Sequence, residues 1–144
     1  MRRPSTALTR LWAQVDPPTK RLARATRRLL LEHTPEAWEL IYETYAISVA
    51  FSGSDRLGDA FCHLVVYPSG KLNLGFNDGA TLPDPGGLLR GTGKRIRHVP
   101  LTDAAQLEDP QLSALVDAAV ELAATRQAER GRPALPGRAV VKAG

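Results

Sequence analysis

The sequence has little of three features that often reveal a protein's function, namely cysteine, aromatic residues and long hydrophobic runs. Its 144 residues include one cysteine, Cys62, and 6% aromatic residues. A single cysteine excludes an intramolecular disulfide and fits a reducing compartment. No apolar run approaches the roughly 18 residues that a membrane span needs, and no hydrophobic segment follows the basic start as it would in a signal peptide. We therefore expect a cytoplasmic protein with no membrane partner.

Familiar catalytic and metal-binding motifs are also missing. The histidines are far apart in the sequence, and no Cys or His pair has zinc-ligand spacing. Cys62 and His63 are neighbours on a predicted strand, so their side chains should point to opposite faces of the sheet. The serines of the stretch 51–55 lack a Gly-x-Ser-x-Gly elbow and are typical of a turn. These patterns predict a protein that is not an enzyme and that needs no cofactor.

The charge is unevenly distributed, although the formal net charge is only +4. Residues 1–31 carry eight Lys and Arg against one acid, a net charge of +7. Residues 32–92 have a net charge of −5, and residues 93–144 have a net charge of +2. A basic segment of this kind indicates association with an anionic partner, although it says nothing about the fold.

Hydrophobic periodicity predicts helices, then strands, then a helix. Apolar residues at helical spacing predict helices over 5–15, 19–32 and 110–126, the last one capped by Asp109. Alternating or β-branched stretches predict strands over 38–43, 45–51, 61–67, 71–76 and 94–101.

This order of elements indicates an α+β fold. We expect an antiparallel sheet of four to five strands, covered on one face by the N- and C-terminal helices. Residues 1–17 are interpreted as an N-terminal arm or short helix, residues 18–128 as the single domain, and residues 129–144 as a flexible basic tail.

The strongest candidate for a binding site consists of the end of the glycine-rich loop 86–93 and the basic residues that follow it. Paired glycines allow a tight backbone whose N–H groups face an anion, and several cations follow them. The string is not a phosphate-binding Walker A motif, because Leu88 stands at the position of its first glycine and a strand follows instead of a helix. A charged edge strand is the structural alternative. The candidate anion-binding residues are Gly91, Gly93, Lys94, Arg95, Arg97 and His98.

Together with the stretches 73–76, 82–85 and 87–89, this string resembles the YdhG-like domain of unknown function. That family belongs to the superfamily of YdhG, YjbR and the frataxin homologue CyaY, and the resemblance covers roughly residues 20–125. It implies a frataxin-like two-layer sandwich. It implies no catalytic residues, because the family has none established.

The superfamily suggests two activities. Frataxin-like proteins handle iron through acidic residues on the first helix and the adjoining strand. Here the corresponding helix is basic, so an iron site would use Glu36, Glu39 and Glu43. YjbR-like members suggest binding of nucleic acid, which we expect to be weak, salt-sensitive and non-specific. The predicted basic helix face for that role consists of Lys20, Arg21, Arg24, Arg27 and Arg28.

The preferred hypothesis is a non-catalytic binding module or adaptor that recognises a phosphate-bearing or otherwise anionic partner through the glycine-rich loop and the basic strand. Iron handling is the first alternative, with iron as the cofactor, and nucleic-acid binding is the second. A third alternative is a role as a partner of another protein. The chain is expected to be a monomer or a homodimer.

Overall fold

A computed structural model describes residues 2–142 and places three α-helices with a six-stranded sheet. The helices are α1 (Thr6–Trp12), α2 (Pro17–His33) and α3 (Pro110–Glu129). The strands are β1 (Trp38–Glu43), β2 (Ile47–Ser52), β3 (Ala60–Val66), β4 (Leu72–Phe76), β5 (Arg97–Leu101) and β6 (Ala139–Val141). The predicted α+β class is confirmed. None of the helices in residues 2–142 is both long enough and apolar enough to cross a membrane.

Each helix begins at a side chain that caps its free N–H groups. The Oγ of Ser5 accepts from the N–H of Leu8 at the start of α1. Asp16 and Asp109 cap α2 and α3 in the same way, and a proline follows each of them in the first turn, where its missing N–H costs nothing. Local sequence therefore explains where all three helices start.

Helix α1 is docked on the domain. Its Leu8 and Trp12 are almost fully buried and pack in the main core with residues of the sheet and of the other two helices. Of the two interpretations of residues 1–17, an arm or a short helix, the structure contains the short helix, and α1 packs into the core with these two large side chains. Met1 lies outside the described residues.

The sheet has the strand order β5-β4-β3-β2-β1-β6. Strands β1 to β5 form an antiparallel meander. Phe51, Leu64 and Phe76 face the core that the helices cover, whereas Leu40 and Ala50 belong to a small cluster on the opposite face. The helices thus pack against one face of the sheet.

The predicted sheet is wrong in two details, because a sixth strand is present and it is parallel to its neighbour. Strand β6 pairs with β1 in parallel, with Val140 opposite Leu40. It lies within the segment 129–144 that was interpreted as a flexible tail, of which residues 143–144 are outside the described part. Three apolar residues are too few to show a strand period, so local sequence cannot reveal this pairing.

A buried carboxylate holds the chain between α3 and β6 against the sheet. Asp59 is 1% exposed, and its carboxylate accepts from Arg132 at 2.8 Å and from Arg130 at 3.0 Å. The hydrogen bond from Arg132, with further ones from Ser54 and Arg130, holds the pKa of Asp59 well below its ordinary value, although burial acts in the opposite direction. The carboxylate is therefore ionised in the folded protein.

We predict that Asp59 makes stability sensitive to acid. Since its folded-state pKa is lowered, its contribution is complete above the ordinary carboxyl pKa of about 3.9 and is lost as the pH falls below it. Asp59→Asn should destabilise the protein at neutral pH by about 1–3 kcal/mol, because it removes the charged acceptor of hydrogen bonds from two partly exposed arginines. The difference between the two proteins should therefore shrink as the pH falls below about 4, and should continue to shrink toward the lowered folded-state pKa of Asp59. Urea unfolding of both proteins across this pH range measures the difference in stability. A difference that does not change with pH would contradict the proposed contribution of Asp59.

Candidate anion-binding site

The predicted glycine loop is exposed and its backbone is open to a ligand. Gly91 adopts a φ of +110°, a conformation that favours glycine, directly after the bridge between Arg90 and His98. Gly93 is also required, because a Cβ there would lie 2.9 Å from the carbonyl oxygen of Ile96. Within residues 2–142, the N–H groups of residues 91–96 donate to no other protein group. These backbone N–H groups are therefore available to an anionic ligand, as the prediction requires.

Two of the cations of the loop are already engaged. The guanidinium of Arg95 donates to Asp78 at 3.0 Å, and Arg126 contacts the same carboxylate at 2.6 Å. The Nε of Arg97 donates to the carbonyl oxygen of Gly93 at 2.8 Å, which ties the loop to the start of β5. His98 is partly buried within β5. Lys94 and Arg90 are exposed cations of this segment for which residues 2–142 supply no carboxylate partner, and Arg90 donates instead to the carbonyl oxygens of Gly87 and Leu89.

A second cationic surface lies between the N-terminal residues and helix α2. The chain before α1 runs alongside α2 and leaves a groove of about 420 Å³. We call it the arginine groove; it is lined by Arg2, Arg3, Pro4, Thr9, Arg24, Arg27 and Arg28. No carboxylate belongs to this described lining. Five arginines therefore contribute to the lining of one concave surface.

Behind the groove, a buried ion pair joins α2 to β1. Arg27 and Glu39 are 4% and 1% exposed, and the guanidinium donates to the carboxylate through Nε at 2.7 Å and Nη2 at 2.8 Å. Arg27 therefore does not lie on the exposed helix face that the sequence predicted. Burial is possible because the two charges neutralise each other with good geometry.

The same network fixes the N-terminal residues. The Nη1 of Arg27 donates to the carbonyl oxygen of Arg2 at 3.0 Å. The guanidinium of Arg2 donates to the carbonyl oxygen of Gly137 at 2.9 Å and lies 3.2 Å from the carboxylate of Glu39. Arg2 and Arg27 thus share one carboxylate and together form one wall of the groove.

Three arginines of the groove keep their charge available. Arg3, Arg24 and Arg28 are exposed, and within the described residues no Asp or Glu lies within 4.0 Å of their guanidinium groups. The other two members of the predicted basic face, Lys20 and Arg21, are not part of the lining. The structure therefore divides the predicted face into a groove-forming half and a half outside the groove.

The three glutamates proposed for iron do not come together. Glu39 is bound to Arg27, while Glu36 precedes β1 and Glu43 ends it, so that the six-residue strand separates them. A strand rises about 3.3 Å per residue, which puts these two glutamates on the order of 20 Å apart. Within residues 2–142, no group of three or more His, Cys, Asp or Glu side chains is arranged to hold a metal ion.

Cys62 and His63 lie on opposite faces of β3, as their spacing predicts. Cys62 is fully buried in the main core, and burial raises the pKa of its thiol well above the ordinary value. His63 bonds to the side chain of Asn77 at 3.0 Å on the other face, and burial lowers the pKa of its imidazole. The two side chains therefore do not form a nucleophile and base.

The contribution of Arg2 and Arg3 was missed by reasoning from motifs. The only signal in the sequence was the net charge of +7 over residues 1–31, which does not show that two distant parts of that segment meet. Their meeting depends on the pairing of Arg27 with Glu39, a contact across 12 residues.

We predict that Arg27 is structural. Arg27→Met should lower the free energy of unfolding by about 3 kcal/mol, because it leaves the partly exposed Arg2 as the remaining cationic partner of the buried Glu39 carboxylate. The double variant Arg27→Met with Glu39→Met should recover much of this loss. Arg28→Met, at the exposed neighbouring position, is the matched control and should change stability by less than about 0.5 kcal/mol. Urea unfolding of the wild type and the three variants measures these changes in stability. Equal losses for Arg27→Met and Arg28→Met would refute the structural role of Arg27.

Comparison of the chain with models of protein families, with curated proteins and with solved structures gives no match. The resemblance to the YdhG-like domain therefore remains a prediction, and the function has to be argued from the geometry of the chain itself.

Proposed function

We propose that this protein is a cytosolic, non-catalytic binding module that recognises a phosphate-bearing ligand in the arginine groove. The observation that carries the proposal is the convergence of Arg3, Arg24 and Arg28, three exposed guanidinium groups, on a groove of about 420 Å³ whose described lining has no carboxylate. The sequence analysis proposed the same class of function, a module that binds an anion. The proposed binding site is now the arginine groove and not the glycine loop.

Phosphate fits this groove for geometric and electrostatic reasons. A guanidinium presents N–H donors in a planar fork that matches two phosphate oxygens, which an ammonium group does not. Guanidinium groups that share a groove repel one another, and a multiply charged anion placed between them replaces that repulsion by attraction. The hydroxyl of Thr9 lines the same groove and adds a neutral hydrogen-bonding group.

The glycine loop is a second candidate for the same chemistry. Its support is the series of unbonded N–H groups over residues 91–96 beside the exposed Lys94. It ranks below the groove because Arg95 already pairs with Asp78 and Arg97 with Gly93. The iron alternative ranks lower still, because Glu39 is committed to Arg27.

We also propose that the fold is the frataxin-like sandwich implied by the YdhG-like resemblance. The support is the element order, in which helices at both ends of an antiparallel five-stranded meander cover one face of it. The parallel strand β6 is an addition to the pattern that this resemblance implies.

The groove can be tested with pyrophosphate as the probe, by isothermal titration at low and high salt. Arg24→Gln with Arg28→Gln should weaken binding at least about ten-fold, because each loses a charge-assisted hydrogen bond. Lys20→Gln with Arg21→Gln is the matched control, since it removes the same charge from the same helix outside the groove lining. It should reduce affinity only slightly, and less at high salt.

Two further arms separate the candidates. Lys94→Gln should leave pyrophosphate binding unchanged, and a loss there would move the site to the glycine loop. A short single-stranded DNA, titrated in parallel, tests the nucleic-acid alternative, for which affinity should fall steeply with salt. The proposal is wrong if pyrophosphate does not bind, or if the two double variants weaken binding equally.

A further inference from the structure

A second cavity lies where three connections meet at one end of the sheet. They are the α1–α2, β1–β2 and β3–β4 connections, and the cavity between them has a volume of about 240 Å³. We call it the tyrosine pocket; its lining includes Val15, Asp16, Glu43, Tyr45, Ile47 and Tyr67. Connections held by a rigid sheet are common places for binding sites.

Two tyrosine rings form one side of the pocket. Tyr45 is 78% exposed, the largest exposed fraction among the exposed large hydrophobic side chains described. Its ring centroid lies 6.5 Å from that of Tyr67, with the planes inclined at 59°. Val15 and Ile47 are partly buried against the main core and supply an aliphatic surface beside the rings. The fold therefore presents an aromatic side chain that its own core does not use.

The charged groups of the described lining are both carboxylates. Asp16 caps α2, and its hydrogen bonds from the backbone and side chain of Thr19 lower the pKa of the carboxyl, so it is ionised at neutral pH. Glu43 is exposed, and within residues 2–142 no Lys or Arg lies within 4.0 Å of it. Lys71 lines a neighbouring depression instead. The pocket thus combines aromatic faces with negative charge.

We infer that the tyrosine pocket receives an arginine side chain of a partner protein. The inference is independent of the proposed function, because it concerns other elements of the fold and a ligand of opposite charge. The partner would insert the guanidinium against Tyr45 and beside Glu43, and would lay the aliphatic stem of the arginine along Val15 and Ile47.

The residues of the pocket match that ligand part by part. A guanidinium is planar and weakly hydrated, so it stacks on an aromatic face and pairs with a carboxylate at the same time. Its aliphatic stem covers apolar surface while the charged end stays near water. Tyrosine and arginine are also the residue types that contribute most often to the binding energy of protein interfaces. The cavity is small enough that one side chain, and not an extended surface, is the unit recognised.

The test uses the peptide N-acetyl-Gly-Arg-Gly-amide as the probe and its citrulline counterpart as the neutral control. In spectra of the isotope-labelled full chain, the arginine peptide should shift the amide signals of Glu43, Tyr45 and Tyr67 at low salt. The citrulline peptide has nearly the same shape without the charge, so it should bind much more weakly.

Variants connect these shifts to the pocket. Tyr45→Ala should weaken binding of the arginine peptide about two- to five-fold, the value expected for one cation–π contact at an exposed site. Glu43→Gln should have an effect of similar size that disappears at high salt. Glu36→Gln is the matched control, because it removes the same charge from an exposed site before β1, and it should change nothing. Unchanged thermal midpoints would show that the variants are folded.

Three results would overturn the inference. If the citrulline peptide binds as tightly as the arginine peptide, the positive charge is not what the pocket recognises. If the signal changes are confined to other parts of the protein, the peptide does not bind in the tyrosine pocket. Concentration-dependent broadening of the same signals without peptide would assign the pocket to a second copy of this chain. None of these results bears on pyrophosphate binding, so the two proposals fail separately.

Discussion

The buried ion pair of Arg27 and Glu39 is the interaction on which the surrounding structure depends. Two charges are removed from water there, and their hydration must be replaced by protein contacts. Glu39 receives hydrogen bonds from Arg27 and lies within ion-pair distance of Arg2, while Arg27 also donates to the carbonyl oxygen of Arg2. Because Arg2 reaches Gly137 as well, one carboxylate connects the N-terminal residues, helix α2, strand β1 and the chain leading into β6.

This pair also explains which positive charges are free to act. The chain carries 19 Lys and Arg, and several of them are engaged inside the protein. Arg27 neutralises Glu39, Arg130 and Arg132 neutralise Asp59, and Arg95 shares Asp78 with Arg126. The arginine groove differs because its exposed guanidinium groups have no such acid beside them in the described residues. The distribution of carboxylates, more than the number of cations, distinguishes the groove from the glycine loop.

Sequence reasoning predicted the parts of the fold that depend on local pattern. The cap Asp109, the helical spacing of Leu112 and Leu115, and the alternation along β4 are visible within a few residues, and they led to the α+β class. The start of α2 was predicted at residue 19, two residues after its first residue in the structure, and its cap Asp16 was not predicted. The parallel strand β6 was not predicted, because its three residues acquire strand geometry only through β1.

The candidate site was predicted only in part, for a similar reason. Arg24 and Arg28 were recognisable from the spacing of charge along a helix. The exclusion of Arg27 from that face required knowing that Glu39 lies beneath it, and the addition of Arg3 required knowing where the N-terminal residues run. Residue 45 was predicted to begin a strand over 45–51, whereas Tyr45 lies exposed in the β1–β2 connection and β2 begins at Ile47. Each of these errors concerns a contact between elements that the local pattern does not contain.

The hydrogen bond from Arg2 to Gly137 joins residues 135 positions apart in the chain. This contact closes a loop that contains nearly the whole chain, and closing it costs conformational entropy. The contacts made by the intervening helices and strands offset that cost. The wall of the arginine groove is therefore built from parts of the chain that are far apart in sequence, and it requires the intervening fold to be in place. Under the proposed function, a ligand in the groove would bind the form in which Arg2 contacts both Arg27 and Gly137, and this binding would stabilise the N-terminal residues against the chain that leads into β6.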